Sequence, residues 1–470
     1  MPDTRPNIIL FTTDQQRGDH LSIAGHPFVH TPNVDSFVNN GAYFPNAYTE
    51  VPSTTAVHRI MNCGKGNWHC GLVGYSHADW DEDTFLAGVL ADAGYHCMSI
   101  ATRNFGVRRK LFGYHTVMTT SGFDAKDCDY CQWLISELGP HVHHHAHGCD
   151  ANGWLARPWH LPEYCHPTNW TVDTTIQQIE KRDPTRPFFI WCGLRAPHSP
   201  YDPPQHFWDM YSNCDLPEPP VGDWAARHDI PVPFPDRTTS QGRLRPEHSH
   251  RARVGYMGLC THIDFQLGYM LERLQRDGAD MKNTLVIFTS DHGDMMGDHH
   301  LHRKSCAYEG SARVPFLIKY PESLDLPSGT FKHIVGQQDI MPTILDAAGV
   351  SIPEGCTGSS VLGAIRGEPW REFIHGEHSP CYSPDKSMHY LTDAREKYIW
   401  YPIGGEEQLF DLTTDRQELH DLSAESAWAE RLSFWRARLI EVLRDRPEGF
   451  TDGHRLVTRS EAWGPVAQGQ

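Results

Sequence analysis

The sequence predicts an α/β fold: a mostly parallel sheet covered by helices on both faces, with a smaller C-terminal α+β subdomain. Three observations predict it. Short apolar runs rich in β-branched residues alternate with helix-like segments through about residue 350, the pattern of a sheet buried on both sides. Two of these runs, Asn7–Thr12 and Leu285–Phe288, lead directly into Asp14 and into Asp291-His292. The carboxyl ends of strands are where an open α/β sheet presents ligands. After about residue 370 the texture changes to closely spaced short strands, which suit an antiparallel sheet.

Taken in order, Asn7–Thr12 reads as a central parallel strand that ends in Asp14-Gln-Gln-Arg-Gly-Asp19. Thr31-Pro-Asn-Val-Asp35 carries helix-start signals. Ser53, Thr54 and Thr55 are natural N-caps for the next helix, whose N-terminal field favours an anion or a nucleophilic oxyanion. Asp83–Ala93 reads as a helix stopped by Gly94, and Tyr95–Ala101 as a strand leading to Thr102 and Asn104. Residues 106–170 are expected to form an insertion serving as a lid or pocket wall. Helix Trp170–Lys181 and strand Pro187–Cys192 follow, then Arg195-Ala-Pro-His-Ser-Pro200. Residues 202–248 read as a long surface excursion and Arg251–Arg276 as a helix packed on the sheet. Val314–Tyr320 is a further strand, and Asp339–Gly349 a helix with a glycine stop. Four short strands within 373–411 and a helix over Ala424–Arg444 make the C-terminal subdomain, and the last twenty or so residues read as loosely structured. The expected domains are therefore 1–370, 371–445 and a tail over 446–470.

Composition narrows the function. A chain of 470 residues with 39% hydrophobic and 21% charged content is an ordinary globular protein with room for a large core. A formal net charge of −18 argues against a nucleic-acid partner, which calls for a basic footprint. It is compatible with a small anionic substrate, because a bound metal reverses the local field. No apolar run is long enough to span a bilayer and no export signal is evident, so a cytoplasmic protein with reduced thiols is expected despite thirteen cysteines. The tract His141–His147, near Cys128, Cys131 and Cys149, fits no structural zinc spacing and reads as a solvated loop. The two long insertions are where contacts of a homo-oligomer would form.

Several segments together resemble the sulfatases of the alkaline phosphatase superfamily, over about the first 445 residues. They are Pro6-Asn-Ile-Ile-Leu-Phe11, Asp14-Gln-Gln-Arg-Gly-Asp19, Thr31-Pro-Asn-Val-Asp35, Pro197-His-Ser-Pro200, the block 289–315, Asp339-Ile-Met-Pro-Thr343 and Leu409-Phe-Asp-Leu412 with its continuation. The Asp14-Gln15 form is most similar to the branch of arylsulfatases and phosphonate monoester hydrolases. The resemblance implies an alkaline phosphatase-like core in which Asp14, Gln15, Asp291 and His292 hold a divalent metal (Ca, Mn or Zn). It also implies that Lys304 contacts the transferred group and His198 the leaving oxygen.

The nucleophile motif departs from the family. Sulfatases carry Cys (or Ser)-x-Pro-x-Arg, with the Cys or Ser oxidised to formylglycine. Anchoring on Gly64 and His69 places Thr54 at the nucleophile and His58 at the Arg; an alternative register with Thr55 and Arg59 needs a one-residue deletion. Threonine cannot become formylglycine, because its Cβ already carries a methyl group, so no formylglycine is expected. Thr102 and Asn104 stand where a Lys-x-His is usual, and the pocket is expected to lose up to three basic groups. The favoured expectation is a metal-dependent hydrolase of a phosphodiester or phosphonate ester with an unmodified Thr54 nucleophile. The alternatives are a catalytically silent homologue, a sulfatase using a route without formylglycine, or a lyase- or transferase-like chemistry in the same pocket. His58 reads either as an ester or metal contact or as a helix-surface residue, and His378 as a substrate-edge contact. A second metal would have only His198, His378 and His58 to draw on. Cys63 and Cys70 read as buried small hydrophobes.

Overall fold

A computed structural model describes residues 4–466 apart from 83, 105–108, 121–126, 234–235 and 462. An eight-stranded sheet is built from β1 (Asn7–Asp14), β2 (Gly41–Tyr43), β4 (His96–Ala101), β5 (Thr116–Thr119), β6 (Phe188–Pro197), β7 (Thr284–Ser290), β8 (Phe316–Lys319) and β9 (Gly329–Thr330). The short β3 (Ala47–Tyr48) pairs separately with β10 (Val335–Gly336). The sheet order is β5-β4-β6-β1-β7-β8-β2-β9, and β8 alone runs against both its neighbours. The sheet is thus mostly parallel, as the alternation of elements predicts.

Alternation along β1 sets the two layers. Ile9 and Phe11 join one apolar cluster with Trp170 and Ile176 of the helix Pro167–Lys181 and with Leu259, Ile263 and Leu267 of the helix Pro246–Arg276. Ile8 and Leu10 face the other way, onto Val57, Ile60 and Met61 of the helix Thr54–Cys63 and Ile340 and Ile344 of the helix Ile340–Ala347. All four β1 side chains are fully buried, which is why the strand reads as a continuous apolar run rather than an alternating one. A smaller antiparallel sheet, β11 (Ile374–His378), β12 (Met388–Thr392), β13 (Glu396–Trp400) and β14 (Glu407–Asp411), packs against the helix Ala429–Val442 through Leu391, Tyr398, Trp400, Leu409 and Trp435.

Five expectations are corrected. The segment 106–170, whose first residues lie outside those described, holds sheet strand β5 and the helix Asp129–Leu138 as well as pocket wall. Residues 202–248 include the helix Gln205–Ser212, which buries Phe207, Trp208 and Tyr211. A helix this short shows too few turns for its period to stand out among prolines. The His tract is solvated only in part: His141 and His143 are exposed, but His144 and His147 are buried, and His147 Nε2 meets Asp202 Oδ2 at 2.9 Å. The end of the chain folds back, burying Phe450 and Trp463 on the small sheet, while the Val73 amide donates to the Pro465 carbonyl. The helix expected from Asp83, itself outside the described residues, begins at Leu86.

Candidate active site

Parallel pairing of β1 with β6 and β7 brings three strand ends together. Thr13 lies opposite Ser290, and Asp14 opposite Pro197 across an irregularity in the β1–β6 register. After Asp14 the chain turns sharply at Gln15, whose φ is 76°. Asp14, Asp291 and His292 are thereby gathered, with one ligand atom from each lying within 4.8 Å of the others. The His292 Nδ1–H donates to the Gly293 carbonyl at 2.9 Å. That bond fixes the tautomer and leaves Nε2 as an acceptor facing the carboxylates. Nε2 lies 3.2 Å from Asp291 Oδ2 and 3.7 Å from Asp14 Oδ1.

These groups form a candidate cation site. Asp14 Oδ1 and Asp291 Oδ2 are buried without a hydrogen-bond partner. Burial raises the pKa of both carboxyls, the Asp291 value strongly and with Asp14 as its next cause, while Lys304 opposes both shifts. Burial likewise pushes the His292 pKa well down, so the imidazole is neutral and free to ligate. Two carboxylates and a neutral imidazole match a divalent ion of the calcium, manganese or zinc type. Gln15 is tied differently from its neighbours: its Nε2 donates to Asp294 Oδ2 at 2.5 Å and its Oε1 accepts from Lys304 Nζ at 3.1 Å. One lone pair of that oxygen remains for a ligand role.

The helix Thr54–Cys63 points its N-terminus at this cluster. Ser53 is its extended N-cap and Gly64, at φ 67°, its left-handed stop. Thr54 Oγ1 lies 3.1 Å from His292 Nε2, the acceptor of its hydroxyl hydrogen bond. Thr55 turns away, bonding the Gly74 carbonyl at 3.3 Å, and Arg59 reaches the Ala78 carbonyl beneath the Trp80 ring. The two registers are therefore distinguished by direction: Thr54 faces the cluster and Thr55 does not. His58 is not a helix-surface residue. It is buried edge-on to Trp191, 5.1 Å between ring centroids, and burial lowers its pKa to about 3.

A cavity of about 450 Å³ opens over Asp14 and Thr54. Lys304, His198, Thr102 and Asn104 are on its wall, together with Asn152, Arg195 and Arg303. Burial, and after it Lys304 and Arg195, hold the His198 pKa well below its ordinary value, and its Nδ1–H donates to the Ser199 carbonyl at 2.8 Å. His378 does not reach this wall. It is 1% exposed at the end of β11, where its Nδ1–H bonds the Ser379 carbonyl. The expected loss of up to three basic groups is offset by Arg195 and Arg303, which join Lys304 on the wall. Both stood beside residues singled out in the sequence, Arg195 at the head of the segment carrying His198 and Arg303 next to Lys304, but a single Arg next to a motif gives no direction.

A model of the sulfatase family matches residues 6–350, and one for the C-terminal part of N-sulphoglucosamine sulphohydrolase matches 297–445. This chain belongs to the sulfatase family. An arylsulfatase of Clostridium perfringens (strain 13 / Type A) is 40% identical over 472 residues, covering 96% of this chain and 97% of its own. A choline-sulfatase of Rhizobium meliloti (strain 1021) is 26% identical, covering 90% of this chain and 83% of its own. Among solved structures, the phosphonate monoester hydrolase of Agrobacterium radiobacter aligns with a TM-score of 0.79 at 22% identity, over 94% of this chain and 96% of that one. The corresponding enzyme of Silicibacter pomeroyi aligns with a TM-score of 0.76 at 20% identity, over 94% and 95%. These likenesses extend the family's fold to the whole chain, C-terminal subdomain included. Among the described residues no helix is long and apolar enough to cross a membrane.

Proposed function

We propose that this sulfatase-family protein hydrolyses a phosphodiester or phosphonate ester, with the unmodified Thr54 hydroxyl as nucleophile. The observation that carries the reading is the position of Thr54 Oγ1 in the first turn of a helix, 3.1 Å from His292 Nε2 and beside two buried carboxylates. The helix N-terminus favours negative charge on that oxygen, and His292 Nε2, held as an acceptor, takes the Thr54 hydroxyl hydrogen bond in the metal-free protein. A divalent ion held by Asp14, Asp291 and His292, with Gln15 as a fourth proposed ligand, supplies Lewis-acid stabilisation when bound.

The chain's own residues do the rest. Lys304 and Arg195 face the cavity and balance charge that develops on the transferred group. Thr102 and Asn104 offer neutral hydrogen bonds where sulfatases place cations, which suits an ester carrying a single negative charge. His198 is neutral in the free protein. An anionic ester offsets the field of Lys304 and Arg195 there and so raises the His198 pKa, and His198 relays to the leaving oxygen the proton that the Thr54 hydroxyl releases. Thr54 carries the reacting group until water releases it.

A second reading, aryl sulfate hydrolysis without formylglycine, is favoured by the Clostridium perfringens relative, which is named an arylsulfatase and is 40% identical over nearly the whole chain. One panel separates the two. Para-nitrophenyl sulfate, phosphate, phenylphosphonate and a bis-ester phosphate are offered to protein loaded in turn with Ca²⁺, Mn²⁺ or Zn²⁺. Turnover of the phosphonate and the diester above the sulfate is the expected result; a sulfate preference selects the second reading. A metal-loaded protein that turns over nothing in the panel contradicts both.

A further inference from the structure

A second cavity, of about 220 Å³, adjoins the first; Lys304, Ser305 and Tyr382 are on the walls of both. Its far side carries Lys386 and the rings of Tyr308 and Tyr401. Three backbone positions at the junction and its rim are left-handed: Arg303 at 69°, Ser305 at 71° and Tyr382 at 67°. Non-glycine residues seldom hold such angles, and where they do they gather at ligand sites.

The charges in this double space do not balance. The chain carries 59 acidic and 41 basic residues, so a lysine or arginine has acidic partners in excess. Yet among the described residues Arg195, Arg303, Lys304 and Lys386 make no ion pair. Each bonds neutral groups instead. Arg195 bonds His145 and the Ser199 carbonyl, and Arg303 the Thr238 carbonyl. Lys304 bonds Gln15, and Lys386 the Ser240 hydroxyl. Arg227, on the same wall, is by contrast paired with Glu406 at 2.6 Å. The one carboxylate of the second cavity, Asp385, lies next to Lys386 on an exposed turn. In the first cavity the carboxylates are those of the metal cluster, which a divalent ion neutralises. One anionic ester then offsets only one of the two charges of Lys304 and Arg195, and Arg303 and Lys386 face the double space with no anion paired to them.

We propose that the adjoining cavity is a second anion subsite, and that the substrate is an ester whose leaving group carries a further negatively charged group, held by Lys386 with Arg303 at the junction. The tyrosine rings of Tyr308, Tyr382 and Tyr401 wall the body of that leaving group. Burial holds the Lys386 pKa below its ordinary value, a shift that an anion alongside reverses. The proposal rests on the reading of the first cavity as an ester site, and deepens it by naming the substrate as a dianion.

Calorimetric binding tests it without needing turnover. The probes are benzenesulfonate and the meta- and para-benzenedisulfonates, titrated into metal-loaded protein at about 0.15 M salt so that non-specific attraction is screened. One or both disulfonates are expected to bind the wild type about tenfold or more tightly than benzenesulfonate, the scale of one charge-assisted contact. Lys386→Met, and Lys386→Gln as a second variant, are expected to lose most of that advantage. Equal binding of all three probes to the wild type, binding of none, or an advantage that survives both substitutions overturns the proposal. If a variant fails to fold, as its melting curve would tell, the wild-type comparison still decides. The same preparation is assayed on the ester panel. A protein that hydrolyses nothing yet prefers the disulfonates refutes the reaction and leaves the subsite standing. One that hydrolyses the esters without the preference refutes the subsite alone.

Discussion

At the scale of single residues, Asp291 concentrates the site's tension. It is fully buried beside a second carboxylate, and its pKa is raised by burial first and by Asp14 next. In metal-free protein the charge is therefore a cost, and in metal-loaded protein it is a ligand. Asp291→Asn is accordingly expected to raise the melting temperature of the metal-free protein and to abolish the metal-induced rise. Metal at about 100 times its Kd would add about 2.7 kcal/mol to the wild type, and differential scanning calorimetry with and without chelator checks both signs. Asp14, Asp291 and His292 were legible in the sequence as polar residues at strand ends, and Lys304 only through the family resemblance of the block that carries it. Arg195 and Arg303 were not. Their place on the wall depends on β6 continuing to Pro197 and on a left-handed backbone at Arg303, neither of which leaves a compositional trace.

At the scale of elements, the helix Thr54–Cys63 is fixed from both ends, by its glycine stop and by the loop before it. Glu50 in that loop is fully buried, accepts from the Gln337 and Gln338 amides at 3.2 Å each, and has its pKa pushed up to about 7 by burial and then by Asp339. Between its ordinary value of 4.5 and about 7 the folded state binds more protons than the unfolded state. Stability contributed by this group therefore falls as pH rises through that window. Glu50→Gln removes the titration, so the variant should gain on the wild type by roughly 3 kcal/mol between about pH 4 and about pH 8. Urea denaturation at the two pH values reads the difference, and a constant difference would refute the assignment. The main strands and long helices were legible from their apolar runs. β5 and the helix Gln205–Ser212 were not, because four residues of strand and two turns of helix are too short to carry a period.

At the scale of the whole molecule, the catalytic layer and the small sheet are joined through the returning chain end. Arg446, whose side chain is 1% exposed, bridges Glu377 at 2.6 Å and Glu448 at 2.8 Å. Arg446→Met should cost about 3–5 kcal/mol, because it leaves Glu377 buried without its cation, and chemical denaturation would measure it. The expectation of a loose tail failed here for a physical reason: Phe450 and Trp463 are isolated apolar residues in a polar stretch, and only the surface of the small sheet makes them core. The α/β fold itself was legible throughout, since alternation of buried strands with helices leaves few other architectures. The central claim concerns one oxygen, and the most direct test is Thr54→Ala beside Thr54→Ser, with bound metal and melting temperature measured on the same samples as turnover. The account predicts that the alanine protein keeps its metal and its stability while losing about 10⁴-fold or more of its phosphonate or diester hydrolysis, and that the serine protein retains turnover. Hydrolysis by Thr54→Ala at the wild-type rate would contradict it.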